Sequence, residues 1–221
     1  MARTNDNDKR LADFNAVIAY WLKGKILVEL NAGLYGSRIA LRFQAQDEAA
    51  QSNSDIKLVI MEMWCVTDAI KSGTLSKLSK HLQKDLIHSQ YLTESISRAP
   101  DILKLYLLLN VARVDTARID ANGKLTVELN DGIEISVEGH AVGGDTSPTD
   151  DNAWSLEIEL DEQIPDHRNF QHCIYTSEFG EIGSDMPPAE LLRIVEAEIT
   201  EHKRHELEHR KGGPFPRHNT N

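Results

Sequence analysis

The sequence predicts an α+β fold: an antiparallel β-meander of four to five strands packed on helices, with an additional N-terminal hairpin and a long C-terminal helix. Three observations predict it. Between Val111 and Asp161, apolar and polar residues alternate: Leu125, Val127 and Leu129 with Thr126, Glu128 and Asn130, and Ile133, Ile135 and Val137 with Glu134, Ser136 and Glu138. Trp154, Leu156, Ile158 and Leu160 repeat the pattern against Ser155, Glu157, Glu159 and Asp161. A period of two puts one face in the core and the other in water. Second, Asn122-Gly123 and Asp131-Gly132 separate these runs and supply the positive φ that tight hairpin turns need. Third, Ser184 or Asp185, then Pro187 and Pro188, open a run to about Lys211 that Gly212, Gly213 and Pro214 close, which is the start and stop grammar of a helix.

Taken in order, Asp6 to Lys23 places Leu11, Phe14, Ile18 and Trp21 at helical spacing, with Asp6 or Asp8 as cap and Gly24 as stop. Lys25 to Asn31 and Ser37 to Gln44 form the N-terminal hairpin around the loop Ala32 to Gly36, and Ala45 to Ser54 is a loop by composition. Ile56 to Ser72 fits a buried strand or a helix; its length, Ser54 before it and Gly73 after it favour the helix. Helices follow from Thr74 to about Leu82, from Leu86 to Arg98, and from Asp101 to about Asn110. The run Ile102 to Leu109 is apolar nearly all round and is expected at the centre of the core. Gly139 to Asn152 is a loop of Gly, Asp, Ser, Thr and Pro; a strand follows at Phe170 to Thr176. Leu191, Leu192, Val195 and Ile199 make the apolar stripe of the final helix, and beyond Thr200 only Leu207 is a large apolar residue, so its last three turns project into water or meet another chain. One composite domain over residues 1–212 is expected, with a division into 1–110 and 111–212 as the alternative and a disordered tail at 213–221.

Charge is unevenly spread. Residues 1–110 hold 14 Lys and Arg against 12 Asp and Glu, while residues 111–221 hold 10 against 23, which gives most of the net charge of −11 to the second half. An acidic sheet face repels phosphate, so binding to nucleic acid or an anionic membrane through the sheet is disfavoured and a basic protein partner is favoured. The carboxylates expected to meet that partner are Glu128, Glu134, Glu138, Glu157 and Glu159. The plainer account of the same residues is a solvated face that keeps the protein dispersed. Two cysteines, Cys65 and Cys173, in no metal-ligand spacing fit a reducing compartment. With no apolar leader and no long apolar run, a cytoplasmic protein is expected.

Three patterns carry chemistry. His205-Glu206-Leu207-Glu208-His209 has the H-E-x-x-H spacing of zinc hydrolases: on a helix His205 and His209 share a face and bind one zinc ion, and Glu206 serves as general base. A third ligand is needed, and only His218 lies downstream, in a tail with two prolines, while the motif itself sits in Glu201 to Lys211, rich enough in His and Glu for the pattern to arise easily by chance. The block from Asp68 to Lys104, with Lys77 and Lys80 on one predicted helix and a polar helix after it, has the proportions of a helix-turn-helix, which would bind DNA; ordinary helix packing is the favoured account of it. Asp145, Asp150 and Asp151 lack the ligand spacing and turn glycine of a calcium loop. The sequence therefore favours a noncatalytic cytoplasmic interaction or inhibitor protein needing no cofactor, ahead of a zinc-dependent hydrolase and then a DNA-binding protein.

Overall fold

The computed structural model describes residues 3–32, 39–47, 49–52, 54–61, 64–68, 99–139, 153–159, 171–177 and 180–211. Helix α1 (Arg3–Leu22) leads into the hairpin β1 (Ile26–Ala32) and β2 (Ile39–Gln44); β3 (Asp55–Ile60), β4 (Trp64–Asp68) and α2 (Ala99–Leu108) follow. The meander is β5 (Val114–Ile119), β6 (Leu125–Leu129) and β7 (Ile133–Val137); after it come β8 (Trp154–Glu159), β9 (Gln171–Thr176), β10 (Ile182–Ser184) and α3 (Pro188–Lys211). The α+β class, the hairpin, the meander and the long final helix are all present.

Two antiparallel sheets are built from these strands, one of six in the order β1-β2-β3-β8-β9-β10 and one of four in the order β4-β7-β6-β5. Local sequence explains the meander. Asp131 and Gly132 both have positive φ, 64° and 70°, so the β6–β7 turn has the twist that matches its strands. At the β5–β6 turn Asp120 accepts the backbone N–H groups of Asn122 and Lys124 at 2.8 and 3.0 Å through one carboxylate oxygen. The inward residues of β6 and β7, Leu125, Val127, Leu129, Ile133, Ile135 and Val137, are all buried.

Two expectations are corrected. Residues 56–60 and 64–66 are not helical: they belong to strands β3 and β4. Ile56, Leu58 and Ile60 face the core, and on the other face Val59 is buried while Lys57 is exposed, so Leu58 to Ile60 read as continuous apolar residues in an interior strand between β2 and β8. This also redirects β8: Trp154, Leu156 and Ile158 pair with Ile60, Leu58 and Ile56, so β8 belongs to the six-stranded sheet, and β4 closes the meander's sheet beside β7. The second correction concerns α2, which lies at the margin of the core. Leu105 and Leu108 are buried, but Tyr106 is 53% exposed. The helices expected within residues 69–98, the loop at 140–152 and the tail at 213–221 lie outside the described residues.

Among the described residues the buried apolar side chains form one cluster that takes in both sheets, α1, α2 and α3. Phe14, Val17, Ile18, Trp21 and Leu22 of α1 are fully buried in it, and α3 adds Leu191 and Val195. Side chains bond to three of the outer strands, β5, β4 and β10, which protects unpaired backbone there from pairing with other chains. Asn15 of α1 acts as a false strand against β5: its Nδ2 donates to Ile119 O at 2.9 Å, and Ile119 N–H donates to its Oδ1 at 2.6 Å. Lys104 donates to Val66 O on β4 at 2.7 Å, and Arg10 to Ile182 O on β10 at 3.1 Å. Asn15→Ala strands a half-buried donor and acceptor together, so a loss of about 2 to 4 kcal/mol in urea unfolding is expected; a loss under about 0.5 kcal/mol would show that water replaces the clasp at no cost.

Candidate functional site

Glu128, Glu134 and Glu138 do share the outer face of the four-stranded sheet. The pairing of β6 with β7 sets Glu128 directly opposite Glu134, a like-charge pair in the middle of the face. Intramolecular partners temper it. Arg118 on β5 bridges to Glu128, Lys124 bridges to Glu138 at 3.2 Å, and the Ser136 hydroxyl donates to Glu134 at 2.7 Å. The hydrogen bond to Glu138 raises the pKa of Lys124 above the ordinary lysine value. The neighbouring Cys65 thiol on β4 is pushed up by partial burial, then by Asp101, with Glu134 and Glu138 adding to the rise and Lys124 opposing it. Three carboxylates therefore act on Cys65 against the one ammonium of Lys124.

Glu157 and Glu159 are not on that face. Both lie on β8 in the other sheet, where Lys57 bridges to Glu157 at 2.7 Å and Glu159 is paired in register with Asp55. The outer face of the six-stranded sheet is a ladder of mixed charge: Arg42 bridges to Asp55 at 2.5 Å and reaches Glu29 at 3.7 Å, Gln44 also donates to Asp55, and Arg42 stands opposite Lys57 in register. The five carboxylates thus divide between two sheets because β8 found its partner in β3.

The backbone of residues 205–209 lies in the closing turns of α3, which keeps His205 and His209 one turn apart and Glu206 one step round. Their side chains fall outside what the structure describes. Among the described residues no group of three or more His, Cys, Asp or Glu is placed to hold a metal ion. Lys77, Lys80 and the rest of the helix-turn-helix pattern, with Asp145, Asp150 and Asp151, lie outside the described residues.

A second cluster was missed by the sequence. Lys25, between α1 and β1, is fully buried, and its Nζ donates to Ser52 O and Ser54 O at 2.5 Å each. Burial pushes its pKa down to about 8, while Asp55 and Glu198 pull the other way. Glu198 of α3 is raised above the usual carboxylate range, by burial first, with Ser52, Lys25 and Tyr20 pulling it the other way. Its Oε2 is buried without a hydrogen-bond partner. Tyr20 of α1 is raised by burial and by Glu198. Three elements and the β2–β3 loop therefore converge on one buried ammonium and one buried carboxylate. The signal for it was there in part: Glu198 stands three residues after Val195 and seven after Leu191, on the stripe by which α3 docks.

No family model, no curated protein and no solved structure matches the chain. No described helix is long and apolar enough to cross a membrane.

Proposed function

We propose that the protein is a noncatalytic cytoplasmic interaction protein that receives a basic protein partner on the outer face of its four-stranded sheet. The observation that carries this reading is the direct opposition of Glu128 and Glu134 across β6 and β7. Like charges set opposite one another cost roughly 0.2 to 1 kcal/mol, a cost that a cation arriving from outside relieves. Among the described residues two cations, Arg118 and Lys124, bridge to Glu128 and Glu138, while Glu134 has a hydroxyl donor. A basic toxin or a nucleic-acid-binding protein whose cationic site must be covered fits such a surface.

The test uses a basic partner cross-linked to the protein in lysate, then purified. Glu128→Gln with Glu134→Gln should keep the fold intact, or firmer by up to about 1 kcal/mol, and slow association with that partner about tenfold at low salt while changing dissociation little. The matched pair Glu29→Gln with Glu157→Gln, on the other sheet, should leave association unchanged. Equal rates and equal salt dependence for wild type and the Glu128/Glu134 variant would reduce the face to a solvated surface.

A further inference from the structure

Strand β10 is an outer strand of the six-stranded sheet, and beside it lies a cleft of about 830 Å³. Its walls are the N-terminal half of α1, the β5–β6 turn and the β9–β10 hairpin. The walls are fixed where they meet. Trp154 Nε1 donates to Gly123 O at 2.8 Å, and the backbones at Gly123, Gly139 and Gly180 approach so closely that a Cβ on Gly139 would stand 2.2 Å from Gly123 C. The space is thus part of the fold, and its size lies in the range of ordinary ligand sites.

Its lining carries two carboxylates, Asp8 and Glu181, one guanidinium, Arg10, and the aromatic residues Phe14 and Tyr175. Arg10 is already committed: its guanidinium stands 5.6 Å from the centre of the Phe14 ring and donates to Ile182 O. Asp8 on α1 and Glu181 on the hairpin are exposed at the cleft, and no described cation pairs with either. Tyr175 is half-buried, with the outer part of its ring laid over Gly183; a Cβ there would lie 2.6 Å from the ring. An aromatic surface beside free carboxylates is the environment that holds an organic cation. Arg10 on Phe14 shows the same chemistry satisfied from within. The cleft also adjoins the acidic face, because Asn122 lines it while Gly139, next to Glu138, packs on Gly123.

We propose that this cleft lodges a lysine or arginine side chain of the basic partner, between Asp8 and Glu181 and against Tyr175, as the anchor for the segment that crosses the acidic face. This rests on the reading of that face as a partner surface, and the two are separable by experiment. The probes are acetyl-arginine amide and acetyl-lysine amide, with acetyl-glutamine amide as the neutral control, titrated into the full chain and followed by amide and side-chain NMR. Shifts confined to residues around Asp8, Tyr175 and Glu181, half-complete in the millimolar range and absent with the glutamine probe, are expected. Asp8→Asn with Glu181→Gln should weaken binding at least about fivefold, and Tyr175→Leu about threefold. Glu128→Gln with Glu134→Gln should leave binding of the small cations unchanged. No shift up to about 20 mM, or equal response to the glutamine probe, overturns the proposal. If the basic partner depends on Glu128 and Glu134 but is indifferent to the Asp8/Glu181 variant, the cleft proposal falls and the acidic face stands. If the cations bind but the partner ignores Glu128 and Glu134, the cleft is a cation site and the acidic-face reading falls.

Discussion

Gly24→Ala is expected to cost about 4 kcal/mol or more, enough to unfold much of the protein at body temperature. Gly24 ends α1 with φ of +80°, a conformation that side chains rarely adopt. It is also pinned from outside. A Cβ there would stand 1.9 Å from Ala49 O and 2.7 Å from Ala50 Cα, both backbone atoms of the β2–β3 loop. That loop cannot step back cheaply. Gln51 N–H donates to Lys23 O at 3.2 Å, and Arg113 holds Asp47 through two bonds of 2.8 and 2.6 Å while donating to Gly24 O at 2.7 Å. The same loop supplies the Ser52 and Ser54 carbonyls to Lys25, so pushing it outward also strips a buried ammonium of its acceptors. Urea unfolding of the variant checks this; a loss below about 1 kcal/mol would mean that the loop yields freely.

The second large effect is in pH. Lys25 loses its proton at about pH 8 in the folded protein and at 10.5 when unfolded. Between those values the unfolded chain binds more protons, so stability rises with pH. The rise should reach about 2 kcal/mol between pH 8 and pH 10. Tyr20 works the other way: its raised pKa lets the folded state keep a proton that the unfolded chain releases above its ordinary value of 10, so that contribution is lost as pH rises further. A stability maximum near pH 10 is the expected outcome, from unfolding curves at constant ionic strength. Lys25→Met should abolish the rise while leaving stability at neutral pH within a few kcal/mol, because relief of the buried charge offsets two carbonyls left without a donor. Glu198 adds an acid-side signature. Its raised pKa stabilises the fold below the ordinary value of 4.5, and that contribution disappears as pH climbs through the folded value. A flat profile from pH 8 to 10 would show that water reaches Lys25.

The elements legible in the sequence are those whose information is local. The β6–β7 hairpin announces itself by period-two alternation around Asp131-Gly132, and α3 by its prolines and its Leu191–Val195 stripe. Strand β3 was hidden because Val59, buried on the outer face, breaks the alternation that Ile56, Lys57 and Leu58 begin, leaving Leu58 to Met61 as an apolar run that also fits a helix. Once β3 is misread, the partner of β8 is misread with it, and Glu157 is placed on the wrong sheet. Pairing across about a hundred residues, as between Lys57 and Glu157, leaves no local mark. The acidic face was visible residue by residue, but its neutralisation by Arg118 and Lys124 depended on register. Lys25 was illegible for a different reason: in the string Lys23-Gly24-Lys25 it resembles a surface lysine, and only the loop folded over Gly24 buries it.

Whether a basic partner lies on the outer face of β6 and β7 is read from an NMR footprint of the complex. Amide and side-chain signals of the isotope-labelled protein should move at Thr126, Glu128, Glu134, Ser136 and Glu138 when the purified basic partner is added, and the movement should shrink as salt rises past physiological strength. The outer face of the six-stranded sheet, around Glu29, Arg42 and Lys57, should stay still. A footprint on that ladder or on the end of α3, with β6 and β7 unmoved, would contradict the account.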